Sequence, residues 1–137
     1  IDVNLFGAYW MAQAFARANT NGGAIVNISS VLGLKPQMWP QAAYASSKAG
    51  MIGFIKGVGK EVAADGITIN AFAPAVIRTP FNAGTSDETL KYMLARIPMG
   101  RVGEPEEAAE ILAFMASKAC SFTTGFTFDI SGGRATY

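Results

Sequence analysis

The sequence predicts an α/β fold: a parallel sheet with helices on both faces. Three observations predict it. Apolar, β-branched runs alternate along the chain with longer segments of helical periodicity. The two strongest strand candidates, "AIVNIS" (24–29) and "ITINAFA" (67–73), read as strands buried on both faces. Glycine and proline punctuate the junctions between segments.

The elements follow in order. Val3, Phe6, Tyr9, Trp10 and Phe15 recur near helical spacing, so residues 1–19 read as a helix. "NTNGG" (19–23) is a turn before the first strand. Residues 29–40 read as a loop broken by Gly33, Pro36 and Pro40. A long helix runs from Ala42 to about Asp65, with Gly66 just past its end. Pro74 stops the second strand. Ser86 or Asp87 caps a helix through Arg96, and Pro105 opens another that runs to about Lys118. "FTFDI" (126–130) is the last strand, before Gly132-Gly133. Doubly wound sheets have about six strands in two halves. Three strands and a start without methionine therefore predict that residues 1–137 are the second half of such a sheet, one domain of a longer protein.

Composition narrows the chemistry. The chain has 137 residues, half of them hydrophobic, so a sizeable core is possible. Its net charge of +1, without a basic run, argues against nucleic acid or an anionic membrane as partner. No apolar run approaches the roughly 20 residues of a membrane helix. The single cysteine, Cys120, fits a reducing, cytoplasmic setting. Without histidine there is no Ser–His–Asp triad and no His–Cys zinc site, and no metal is expected. Proton transfer falls to Tyr, Lys, Asp, Glu or Cys.

"QAAYASSKAG" (41–50) offers such a group, because Tyr44 and Lys48 lie one helical turn apart on one face. A nearby ammonium favours a phenolate, so the spacing suits proton exchange near neutral pH. The spacing alone is weak: Tyr92 and Arg96 repeat it and read as ordinary helix surface. Context strengthens it. Ser30 stands at the end of the first strand, and ligands of open parallel sheets bind beyond the carboxyl ends of the strands. The loop after Pro74 should open on the same edge.

"NLFG" (4–7), "GGAIVNISSVLG" (22–33), "YASSKAG" (44–50), "ITINAFAPAVIRTP" (67–80) and "FDISGG" (128–133) together resemble the short-chain dehydrogenase/reductase family, in the family's order. The resemblance implies a Rossmann-type doubly wound sheet. It also implies hydride transfer between NAD or NADP and the carbonyl or alcohol of a small-molecule substrate. Its glycine-rich phosphate turn would precede Ile1. The implied catalytic group is Asn4, Ser30, Tyr44 and Lys48. Tyr44 is the acid or base, Ser30 holds the substrate oxygen, Lys48 supports Tyr44 and the ribose, and Asn4 holds a relay water. Ser29 competes with Ser30 for its role. Asn4, Tyr44, Lys48, Pro74, Ile77 and Thr79 are the implied cofactor contacts, although Thr79 could instead cap the turn before Pro80. Ser30, Met38 and Tyr44 are the implied substrate contacts, with Met38 and Trp39 alternatively packing on another subunit.

Two departures stand out. Ser30 and Tyr44 are one residue further apart than is common in the family, and Ala75 replaces a usual glycine, which could narrow the nicotinamide approach or restrict the loop. The segments 92–110 and 120–137 resemble sugar-acid dehydrogenases, so a sugar acid or polyol is the expected substrate; Arg78 or Arg101 could face its carboxylate, although each by itself reads rather as an ordinary surface arginine. A 3-oxoacyl-carrier-protein reductase, a non-catalytic assembly module and an inactive fragment are the other readings. A homo-oligomer, dimer or tetramer, is expected through the face of Gly50, Gly53 and Gly57 or through "ILAFMA" (111–116). "GVG" (57–59) reads as a close helix–helix contact.

Overall fold

The computed structural model describes residues 1–36 and 41–135. Its centre is a three-stranded parallel sheet in the order β1 (Gly23–Ile28), β2 (Ile67–Pro74), β3 (Thr127–Ile130). Ile25 pairs with Ile69, and Phe72 with both Ile28 and Phe128. The strands run the same way, so all three carboxyl ends open on one edge of the sheet.

Before β1 lie a wide first turn, Asp2–Phe6, and helix α1, Gly7–Ala18. Leu5 and Phe6 both donate to the Ile1 carbonyl, which widens that turn. Helix α3 (Ala42–Glu61) packs with α1 on one sheet face, where Ile52 and Ile55 meet Ile67, Ile69 and Ala71. Helix α5 (Pro105–Ala116) lies against β1 and β2. A shorter helix, α4 (Asp87–Leu94), is capped by Ser86, whose hydroxyl accepts from the Thr89 N–H.

Burial follows from sheet order. β2 has a neighbour on each side and is buried along almost its whole length. Among the described residues, β1 pairs with β2 alone, and the run "AIVNIS" is less covered than β2, with Ile28 47% exposed. Asn70 is buried in the middle of β2 and fully used. Its Nδ2 donates to the Thr123 carbonyl at 2.8 Å, and its Oδ1 accepts from the Phe126 N–H at 3.0 Å. A buried amide must be satisfied, and here the satisfaction aligns the segment entering β3.

Three local expectations are corrected. The segment read as a loop after Ser29 contains a one-turn helix, α2 (Val31–Leu34), because the Ser30 hydroxyl caps it and Val31 and Leu32 are buried. The long helix ends at Glu61, four residues early, and a 3₁₀ turn (Ala63–Asp65) reaches Gly66, whose φ of 70° is the left-handed cap. The close contact at "GVG" is with a loop and not with a helix. A Cβ on Gly59 would lie 3.0 Å from the Gly125 nitrogen, while Gly57 meets nothing within 4 Å.

Gly33 of α2 sits directly on the α3 backbone. A Cβ there would come within 2.7 Å of the Lys48 carbonyl carbon and 2.8 Å of its oxygen. Alanine improves helix propensity by at most about 1 kcal/mol, but the clash is with backbone that no rotamer change can relieve. Gly33→Ala is therefore expected to destabilise by about 1–3 kcal/mol, measured as a lower urea midpoint. An unchanged midpoint would show that α2 can lift off α3 without cost.

Candidate active site

The site begins where β1 ends. Ser29 and Ser30 are both buried, but they face different tasks. The Ser29 hydroxyl donates to the Lys48 carbonyl at 2.9 Å, tying the strand end to α3. The Ser30 hydroxyl accepts from the Leu32 N–H at 3.2 Å and lines a cleft. A hydroxyl has one donor and two acceptor sites, so capping α2 leaves the Ser30 proton for another oxygen. The geometry thus separates the two serines that the sequence leaves in competition.

Tyr44, in the first turn of α3, opens onto the same cleft and is 41% exposed. Lys48 follows one turn later but is buried. Its Nζ donates to the Ile28 carbonyl at 2.6 Å and lies 5.7 Å from the centroid of the Tyr44 ring. Burial holds the Lys48 ammonium below its ordinary value of 10.5. Asn4 reaches α3 one residue before Lys48. Its Nδ2 donates to the Ser47 hydroxyl at 3.3 Å, and that hydroxyl donates to the Tyr44 carbonyl at 2.7 Å. A solvent-open phenol, a hydroxyl with a spare proton and a buried ammonium therefore stand at one sheet edge. Such a set can hold a substrate oxygen and move a proton to or from it.

The cleft has a volume of about 520 Å³, and Gln41, Phe81, Met93 and Arg134 complete much of its wall. A second cleft of about 580 Å³ contains Ile77 and Thr79, and the two meet at Val76. Pro74 closes β2, and the Ala75 N–H donates to the Ile130 carbonyl at 3.1 Å. No described non-glycine residue has a positive φ, so Ala75 is not strained by lacking the family's glycine. Ile77 bridges to Gly103, which turns its own N–H and carbonyl to the other side. Asn82 Nδ2 donates to that carbonyl at 2.7 Å, and the Ile77 N–H has no partner among the described residues. Thr79 does not cap the turn beginning at Pro80, and its Oγ1 has only a long 3.4 Å contact from Asn82. Met38 lies outside the described residues.

Arg78 and Arg101 are surface arginines. Arg78 binds Glu104, with Nε 3.0 Å from Oε2, and Arg101 binds Glu107 at 2.6 Å. The Arg101 guanidinium, with the Glu104 N–H, holds the Glu107 carboxyl down at about 2. Both guanidinia are thus occupied on the surface. The Arg96 guanidinium stacks 3.4 Å from the Tyr92 ring centroid and donates to the Tyr92 carbonyl, so this pair folds on itself. The arginine that reaches the cleft is Arg134, which the sequence reading passed over, as it did Gln41. Its available signal was position: Arg134 follows the Gly132-Gly133 turn at the carboxyl end of the last strand. Among the described residues, no cluster of His, Cys, Asp and Glu could hold a metal, and no helix is long and apolar enough to cross a membrane.

Known proteins share this fold. A family model described as enoyl-(acyl carrier protein) reductase matches residues 1–135. The chain is 46% identical, over 140 residues, to the 2-dehydro-3-deoxy-L-rhamnonate dehydrogenase (NAD(+)) of Sphingomonas sp. (strain SKA58), covering all of this chain and 55% of that protein. It is 42% identical to a 3-oxoacyl-[acyl-carrier-protein] reductase of Chlamydia muridarum, covering 98% of this chain and 55% of the relative. The chain thus spans about half the length of the curated relatives it matches. Among solved structures, a short-chain dehydrogenase/reductase from Serratia marcescens superposes with a TM-score of 0.92 at 28% identity, over 98% of this chain and 54% of that one. A candidate 2-deoxy-D-gluconate 3-dehydrogenase from Agrobacterium tumefaciens, with bound NADP, superposes with a TM-score of 0.88 at 36% identity, over 97% of this chain and 56% of that one. With the family model spanning nearly all of its length and a parallel sheet that carries Ser30, Tyr44 and Lys48 to one edge, the chain belongs to the short-chain dehydrogenase/reductase family.

Proposed function

We propose that the protein, at its native length, transfers hydride between NAD or NADP and a carbonyl or secondary alcohol of a sugar acid or polyol. The observation that carries this reading is the cleft shared by Ser30 and Tyr44, with Lys48 buried one turn behind the phenol. Similarity to a sugar-acid dehydrogenase, and to a structure with bound NADP, supports the substrate and cofactor classes. Residues 1–137 act as one catalytic unit of that protein.

When bound, the nicotinamide supplies or accepts the hydride. This chain supplies the proton and the fit. The Ser30 hydroxyl donates to the substrate oxygen and stabilises the charge that develops on it. Tyr44 gives that oxygen a proton in reduction and takes it in oxidation. Lys48 places positive charge beside the phenol and holds the ribose hydroxyls, and Asn4 anchors the relay behind it. For the nicotinamide, the unpartnered Ile77 N–H suits a carboxamide oxygen, with Thr79 and Pro74 shaping the same side. Met38, placed by sequence alone, joins the substrate wall.

A second reading is a 3-oxoacyl-carrier-protein reductase, favoured by the apolar Phe81 and Met93 in the cleft wall and by the Chlamydia relative. Turnover of an acyl thioester in preference to a sugar acid would select it. The lone thiol, buried and unpaired, supports a cytoplasmic setting. Gly53 and Gly57 have open space above them and Phe114 is exposed, which supports association of copies through α3 or α5.

Tyr44→Phe is expected to lower kcat by about 100-fold or more while leaving the melting temperature within a few degrees. Normal turnover in that variant would remove Tyr44 from the mechanism. Lys48 separates activity from stability. Burial lowers its folded pKa below 10.5, so the unfolded chain binds this proton more tightly. The protonated side chain therefore opposes folding at neutral pH, and that cost is lost as pH rises through the folded value toward 10.5. Lys48→Met should abolish turnover without lowering the denaturation midpoint at pH 7, and a midpoint well below that of the native protein would contradict this account. Size-exclusion chromatography at native length should give a dimer or tetramer, and elution at monomer mass would reject association.

A further inference from the structure

Arg134 is only 4% exposed, and its Nε and Nη2 have no hydrogen-bond partner among the described residues. A buried cation without an anion is costly, and proteins ordinarily pair such groups. Among the described residues, the neighbours acting electrostatically on Arg134 are Arg96, a like charge, and Tyr92. Burial first, and then Arg96, hold its guanidinium below the ordinary value. Arg78 and Arg101, by contrast, each have a glutamate.

The position of Arg134 is built. Gly132 and Gly133 turn the chain with φ of 61° and 88°, and side chains of Ile97 and Pro98 close over them. The Ser131 hydroxyl accepts from the Ala135 N–H at 3.0 Å. Ala135 packs with Val31, Leu32 and Ala45, which follow Ser30 and Tyr44 within two residues in the chain. Arg134 is thereby fixed in the wall of the cleft onto which Ser30 and Tyr44 open. Gln41 lines that cleft too, and its side-chain oxygen is likewise buried without a partner among the described residues.

We infer that Arg134 holds a carboxylate of the substrate and that Gln41 accepts a hydroxyl of the same molecule. The two nitrogens Nε and Nη2 form one edge of the guanidinium, which matches the two oxygens of a carboxylate. Arg134 is thus a specificity-determining residue that selects a hydroxylated acid over a neutral alcohol or a thioester. The inference rests on the cleft being the substrate site, as proposed above.

The test measures binding without turnover, using Tyr44→Phe protein at native length with saturating cofactor. Calorimetric titration with a 2-keto-3-deoxy sugar acid should show affinity about tenfold or more above that of its neutral methyl ester. Adding Arg134→Gln should raise Kd for the acid by about tenfold or more and leave the ester within about threefold. Arg134→Lys, which keeps the charge but loses the fork, should fall between. An acid-to-ester ratio near one, or equal weakening of both ligands by Arg134→Gln, would overturn the inference. If Arg134→Gln does not fold, the ratio in the parent and in Arg134→Lys decides. A protein that shows the acid preference but turns over no alcohol or carbonyl would end the hydride-transfer reading and leave the role of Arg134 standing.

Discussion

The grip of the β1 end on the middle of α3 is the constraint on which the rest depends. Three contacts converge on Lys48. Ser29 donates to its carbonyl, its ammonium donates to the Ile28 carbonyl, and Gly33 lies against its backbone. Each is modest alone, a hydrogen bond being worth about 1 kcal/mol net. Together they set the rotation of α3 about its axis. That rotation decides that Tyr44 emerges beside Ser30 and that Lys48 stays buried behind it.

The sheet supplies the second constraint. β2 is central, apolar and buried, and Asn70 within it orders the approach to β3. Parallel pairing then sends Ser30, Ala75 and the Gly132-Gly133 turn to the same edge. A site composed of residues 30, 44, 76 and 134 is compact only because three strands end together. Loops at such an edge can vary while the strands that carry them stay fixed.

Charge is distributed economically over this frame. The surface guanidinia of Arg78 and Arg101 have glutamate partners, and exposed pairs of this kind contribute little to stability. Among the described residues, the buried cations Lys48 and Arg134 have no carboxylate partner, and both stand near the edge where the strands end. Burying charge without a counter-charge works against folding, so both fit a site in which the compensating groups arrive with bound molecules.

The sequence by itself determined the alternation of strands and helices, the parallel sheet and the Tyr44–Lys48 pair, because these rest on local periodicity and spacing. A cap at Ser86 or Asp87, of which the structure uses Ser86, and Pro105 as a helix start were legible for the same reason. The tertiary structure alone distinguished the hydrogen bonds of Ser29 and Ser30, since which hydroxyl is tied to α3 depends on how that helix lies across β1. It also gave Arg78 and Arg101 glutamate partners and brought Arg134 to the cleft. An arginine's availability depends on which carboxylates fold beside it, and Glu104 and Glu107 reach the first two through contacts 26 and 6 residues apart in the chain.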